Sequence, residues 1–177
     1  MNKKIKYMSI AALLSLFSWN SKSQQADSKI VVGSSIPEFS LKDQDGKEFN
    51  IKDVLGKENL VIYFYPKDDS PGCTKEACAF RDQYEVFRSA NAKVIGISGQ
   101  SVESHKKFEE KYKLPFTLLS DEHNKVRKLF GVSSGPIPGR VTFVVDKSGK
   151  VVYTFNSQMQ ATHHVDEAVR ILKEMKS

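Results

Sequence analysis

The stretch that decides the fold is Leu60–Phe80, LVIYFYPKDDSPGCTKEACAF. Leu60 to Tyr65 form an unbroken apolar run that stops at Pro66. Such a run, without polar alternation, suits a central strand buried on both faces. Beyond the loop, Thr74 to Ala90 has helical spacing, with Ala77, Phe80, Tyr84 and Phe87 on one stripe. Val94 to Ser98, VIGIS, supplies a second buried strand. Strand, helix and strand in this order predict a right-handed parallel crossover.

The pattern extends in both directions. Ser101 is placed to cap a helix running to Tyr112. Phe116 to Leu119 reads as a short strand, and Glu122 to Phe130 as a short helix stopped by Gly131. Val141–Val145 and Val151–Phe155 flank the turn Asp146–Gly149, a hairpin. Thr162 to Lys176 is an amphipathic helix with Val165, Ala168, Val169 and Leu172 inward. Upstream, alternating segments at Glu38–Lys42 and Glu48–Lys52 flank Asp43–Gly46 and predict another hairpin. The expected fold is α/β and thioredoxin-like: a mixed central sheet flanked by helices, with an added N-terminal β-hairpin.

The chain has 177 residues, 40% of them hydrophobic and 27% charged. That is enough apolar material for one domain with its own core, expected over residues 31–177. The N-terminus differs from the rest. Lys3, Lys4 and Lys6 precede a mostly apolar stretch from Tyr7 to Trp19, and Ser21-Lys22-Ser23 follows. Residues 1–23 read as a signal peptide, too short in its apolar part for a comfortable membrane span of about 20 residues. An uncleaved anchor is the alternative. Residues 24–30 read as a linker, and the expected location is periplasmic or secreted, without stable membrane association after cleavage. The leader holds four lysines and no acid, so its removal takes the net charge from +6 to +2. No clustered basic face remains that would suit nucleic acid.

The chain has two cysteines, Cys73 and Cys78. Cys73 follows Ser70-Pro71-Gly72 and opens a helix, where unpaired N–H groups and the positive dipole end favour a thiolate. Ser70 can offer its hydroxyl to the sulfur or to a bound oxygen. Pro66 stiffens the strand exit and shields one side. Cys73 shares the apolar stripe of Ala77, so it is expected in a pocket against the sheet. Positions i and i+5 of an intact helix lie roughly 8–9 Å apart at Cα. A disulfide wants less than about 7 Å. An oxidising compartment would let a structural bridge persist, but this spacing argues against one. A bridge requires the first helical turns to unwind.

Pro66-Lys-Asp-Asp-Ser70-Pro-Gly-Cys73, continued by Thr74-Lys-Glu-Ala-Cys78 and Phe80-Arg81-Asp82, resembles the peroxiredoxins, in particular the peroxiredoxin Q or bacterioferritin comigratory protein subgroup. Pro138-Gly-Arg140-Val-Thr-Phe-Val-Val-Asp146 resembles that subgroup's arginine-bearing strand. The likeness runs from about Ile36 to Leu172 and implies a thiol peroxidase. It implies that Cys73 attacks a hydrogen peroxide or organic hydroperoxide oxygen to form a sulfenic acid. Arg140 would hold the thiolate and the developing charge. Ser70, where most relatives have Thr, would hydrogen-bond the peroxide, and Pro66 would shield the pocket. Cys78 would resolve the sulfenic acid as a Cys73–Cys78 disulfide. Thioredoxin or a similar dithiol would restore both thiols. The resemblance implies a monomer, with no cofactor and no metal.

Two other functions fit parts of the sequence. His163 and His164 with the thiols suggest a copper-binding chaperone, although these histidines are expected to be solvated at a helix start. A protein thiol–disulfide oxidoreductase is the other, but the spacing C-x-x-x-x-C departs from C-x-x-C. Of the remaining candidates, His105 is expected to pack on the stripe of Val102, Phe108 and Tyr112. His123 is expected to be a surface or capping residue. Lys106, Lys107 and Lys111 with Glu109 and Glu110 read as a solvated helix face. Tyr63, Phe64 and Tyr65 are expected in the core, with one of them placed to wall the pocket.

Overall fold

The computed structural model describes residues 30–176. The expected leader and most of the linker lie outside them. The described residues build one seven-stranded sheet in the order β2-β1-β5-β4-β3-β6-β7. The strands are β1 (Ser40–Asp43), β2 (Glu48–Asn50), β3 (Asn59–Phe64), β4 (Ala92–Ser98), β5 (Thr117–Ser120), β6 (Val141–Val145) and β7 (Val151–Asn156). The helices are α1 (Pro71–Asp82), α2 (Tyr84–Ser89), α3 (Val102–Tyr112), α4 (Lys125–Leu129) and α5 (His163–Glu174). β3, β4 and β5 are parallel neighbours, while β6 runs antiparallel to β3. The N-terminal hairpin joins the sheet by pairing β1 antiparallel to β5. This is the expected thioredoxin-like layout.

Strand β3 is the hub. Val61, Tyr63 and Tyr65 face one side of the sheet, packing with Ala77 and Phe80 of α1, Phe87 of α2, Phe108 of α3 and Val165 and Leu172 of α5. Leu60, Ile62 and Phe64 face the other, packing with Ile95, Leu119, Val126, Phe130 and Phe143. Both sets are essentially inaccessible to water. Each such large apolar side chain contributes about 1.5–3 kcal/mol by its burial. The Tyr63 ring stacks on Phe80 at 4.5 Å and on Tyr65 at 5.3 Å. It lies across β4 at Gly96, where an added Cβ would meet its hydroxyl at 2.7 Å. The sheet face beneath α1 is thus fixed by close packing around β3.

Three expected elements differ in extent. The helix expected over Thr74–Ala90 is two helices, because Gln83 leaves helical geometry (φ −100°, ψ 8°). No Gly or Pro marks the break. Arg81 donates to the Tyr112 carbonyl at the end of α3, which ties α1 down just before the bend. The helix expected over Glu122–Phe130 is only α4. Asn124 takes a left-handed conformation, and the Asp121 carboxylate caps the helix from farther back by accepting from the Val126 and Arg127 amides. At the second strand of the N-terminal hairpin, Ile51–Asp53 turns into a 3-10 helix instead of continuing β2. Asn50 caps it by accepting from the Lys52 amide.

Candidate active site

The loop from Tyr65 to Ser70 delivers Cys73 to the first turn of α1. Ser70 is the N-cap residue with extended backbone, Pro71 takes the first helical position, and the Thr74 amide closes the turn on the Ser70 carbonyl at 2.9 Å. Proline suits that position because its missing N–H would have no partner there. Cys73 is buried at 1% exposure, against the sheet as expected. The loop is held by two acids. Asp68 accepts from the Tyr65 hydroxyl (2.7 Å), the Ser104 hydroxyl (2.6 Å) and His105 Nδ1 (2.9 Å). Burial raises the Asp68 carboxyl, but His105, Ser104 and Tyr65 outweigh it and hold it below its ordinary range. Asp69 has a left-handed backbone, φ 56°, and is met by Lys111 Nζ and the Tyr112 hydroxyl, each at 2.8 Å. A non-glycine residue in that region costs on the order of 1–3 kcal/mol and persists only where its surroundings hold it.

Arg140, at the foot of β6, reaches the sulfur. Its Nη2 donates to Cys73 Sγ at 3.4 Å, its Nε to the Gln158 carbonyl at 3.3 Å, and its Nη1 to Glu76 Oε2. It is 4% exposed, so it is not a surface charge. Gly72 makes this approach possible: a Cβ there would stand 3.1 Å from Arg140 Nη2. The Ser70 hydroxyl does not touch the sulfur. It donates to the Lys67 carbonyl at 3.0 Å, which leaves its oxygen lone pairs to accept from a bound O–H. Pro66 sits at the strand exit, partly exposed.

Cys78 is half-buried on the same unbroken helix, about 140° round from Cys73, and both cysteines are free thiols. The two are not brought together. The geometry is therefore that of a reduced pair that α1 keeps apart.

Glu76 and Arg127 escaped the sequence reading. Glu76 is fully buried one turn after Cys73, on the same helix face. Burial pushes its carboxyl up to about 8, against the pull of Arg140. An ion pair at about 4 Å is worth roughly 4 kcal/mol at an effective dielectric of 20. Burying a carboxylate costs several kcal/mol, and the one guanidinium beside Glu76 is shared with Cys73 Sγ, so burial outweighs the pull of Arg140. Arg127 is also buried, at 1% exposure. It donates to the carbonyls of Tyr65 (2.7 Å), Gly139 (2.8 Å) and Ser133 (3.3 Å), tying the strand exit before Pro66 to the segment that leads into Arg140. The available signals were a charge on an apolar stripe at i+3 from Cys73, and an arginine beside Val126 in a short amphipathic helix.

His164 corrects the expectation of a solvated pair. His163 is exposed, but His164 is fully buried. Its Nε2 donates to the Ser157 carbonyl and its Nδ1 accepts from the Thr142 hydroxyl, both at 2.9 Å. Burial lowers its pKa to about 4. Both nitrogens are occupied, and among the described residues no group of three or more His, Cys, Asp or Glu could hold a metal ion. His105 is buried in the packing stripe as expected, with the added bond to Asp68, while His123 is exposed in the turn before α4. Lys107 and Lys111 are exposed and ion-paired.

Comparison with known proteins agrees with this geometry. Residues 32–154 match the AhpC/TSA family. The chain is 55% identical over 151 residues to chloroplastic peroxiredoxin Q of Sedum lineare, covering 84% of this chain and 81% of the relative. It is 54% identical over 148 residues to chloroplastic peroxiredoxin Q of Arabidopsis thaliana, covering 82% and 68%. Among solved structures it resembles peroxidoxin BcpB from Mycobacterium tuberculosis, with a TM-score of 0.80 at 35% identity, covering 84% of this chain and 99% of that one. Xanthomonas campestris peroxiredoxin Q gives 0.72 at 31% identity, covering 78% and 92%. The relatives also correct one expectation. Several are chloroplastic proteins, and this overturns the periplasmic or secreted location read from the N-terminus. The chain belongs to the AhpC/TSA family, in its peroxiredoxin Q branch, and is a thiol peroxidase that couples a peroxide to a thiol reductant.

Proposed function

We propose that Cys73 is the peroxidatic cysteine and Cys78 the resolving one. The Cys73 thiolate attacks one oxygen of hydrogen peroxide or an organic hydroperoxide. An S–O bond forms, the O–O bond breaks, and the leaving oxygen takes a proton to depart as water or alcohol. Arg140 donates to the sulfur and to the charge that develops on the oxygens. Ser70 accepts from the peroxide O–H, and Pro66 keeps water from one side. Cys78 then displaces hydroxide from the sulfenic acid, which leaves as water and yields the Cys73–Cys78 disulfide. A thioredoxin-like dithiol reduces that disulfide, and the protein works as a monomer.

One observation supports this above the others: a buried sulfur in the first turn of α1, 3.4 Å from a buried arginine. Organic hydroperoxides are included because the Xanthomonas campestris relative is described by its alkyl peroxide reduction activity. The intramolecular bridge requires α1 to unwind, because an intact helix keeps its i and i+5 Cα atoms beyond disulfide reach. The test is single turnover of the Cys78→Ser variant. It should consume one peroxide per chain and then stall until an external thiol is added. Continued turnover without added thiol would remove Cys78 from the resolving role.

A further inference from the structure

Glu76 and Cys73 share one guanidinium. Arg140 Nη1 donates to Glu76 Oε2 and Arg140 Nη2 to Cys73 Sγ. Glu76 is completely buried, and its Oε1 has no hydrogen-bond partner. The ionisable groups facing it are Cys73 on α1, Arg140 just before β6, His164 on α5 and Tyr63 on β3. Only Arg140 among these is a cation. His164 Nδ1 stands 3.8 Å from Oε1 but is occupied by the Thr142 hydroxyl, and burial keeps that ring neutral. Burial likewise raises the Tyr63 phenol well above its ordinary range, so it stays protonated. With Cys73 and Glu76 both ionised, two anions would share one cation and a buried carboxylate oxygen would lack any donor. One proton on Glu76 removes both problems.

We propose that Glu76 holds a proton while the Cys73 thiolate sits on Arg140, and gives it up to the hydroxide that leaves when the peroxide bond breaks. This rests on Cys73 being the attacking sulfur. The step balances: thiolate, protonated Glu76 and hydrogen peroxide become sulfenic acid, ionised Glu76 and water. Sulfur is oxidised by two electrons, the peroxide oxygens are reduced, and the cluster keeps its net charge. A carboxyl pushed up to about 8 is protonated near neutrality. Once the sulfur is neutral, the whole charge of Arg140 falls to Glu76 and favours its ionised form. Glu76 is thus a proton reservoir for the leaving oxygen, and its ionised form is held by the guanidinium that had held the thiolate.

The experiment uses reduced Cys78→Ser protein, which halts at the sulfenic acid, and the same protein carrying Glu76→Gln. Each is mixed with hydrogen peroxide near neutral pH in weak buffer containing an indicator dye. The Gln variant should draw one more proton from solution per Cys73 oxidised. Equal proton counts would overturn the assignment. Infrared difference spectra of the Glu76 protein, oxidised minus reduced, should lose a carboxylic-acid C=O band and gain a carboxylate band. An unchanged carboxyl region would overturn it independently of any variant. Mass spectrometry separates the two ideas. A missing oxygen adduct on Cys73 would sink both the nucleophile and the reservoir, whereas an adduct with equal proton counts would sink only the reservoir.

Discussion

Two buried polar clusters flank the start of α1, and they are built in opposite ways. Upstream, Asp68 is saturated: three donors meet it within 2.9 Å, and Asp69 beside it has two more partners. Downstream, Glu76 has one partner, and its second oxygen has none. Thr74 Oγ1, between the two clusters, is also unpaired. A saturated cluster in low dielectric rigidifies, and an unsaturated one stays responsive to charge. The loop carrying Pro66 and Ser70 is thereby anchored to α3, while the sulfur, Arg140 and Glu76 remain free to redistribute a proton. The proposed Cys73–Cys78 bridge, which requires α1 to unwind while its upstream loop stays fixed, fits that asymmetry.

The contrast can be broken in order of effect. Cys73→Ser should abolish peroxide consumption in a steady-state assay with a dithiol, yet leave the melting temperature near wild type. Retained turnover would show that chemistry does not reside in the downstream cluster. Arg140→Ala should slow the second-order peroxide reaction about 10²–10³-fold, as loss of one charge-stabilising donor does. Stopped-flow mixing measures this. Asp68→Ala should act on stability first. It leaves the Tyr65 and Ser104 hydroxyls and His105 without their acceptor, at a cost of about 3 kcal/mol in urea unfolding. A change under 0.5 kcal/mol would mean the loop is not anchored there.

Smaller effects sharpen the downstream side. The folded Glu76 carboxyl lies at about 8, above its ordinary 4.5. A raised value means that its contribution to stability is complete below about 4.5 and is lost as pH rises through 8. The melting temperature of reduced wild type should therefore fall relative to Glu76→Gln between those values. Parallel pH profiles would contradict the protonated state. Gly72→Ala should displace Arg140 by a few tenths of an ångström and slow the peroxide step less than tenfold, since its Cβ would stand 3.1 Å from Nη2.

Much of this was legible in the sequence because it rests on local pattern. The apolar run Leu60–Tyr65 and the stripe through Ala77 and Phe80 dictate β3 and α1, and the loop between them presents Cys73 at a helix start. What was not legible depends on contacts far apart in the chain. Glu76 reads as an ordinary helix-surface acid until Arg140, 64 residues on, arrives beside it. His164 reads as solvated because it stands at the start of a helix, yet the helical turn points it at Thr142. The break at Gln83 is enforced by tertiary packing and carries no glycine or proline. The location read from the N-terminus misled for another reason: a basic start followed by an apolar stretch carries no statement of destination.

The central claim is that Cys73 reacts from an intact helix, which must then unwind for Cys78 to reach it. The most direct test pairs peptide mapping with amide hydrogen exchange, before and after one equivalent of hydrogen peroxide. The account predicts a Cys73–Cys78 linked peptide only after oxidation, with protection over residues 71–82 lost at the same time and the Asp68–His105 region still protected. A linked pair already present in untreated protein, or formed while residues 71–82 stay fully protected, would contradict it.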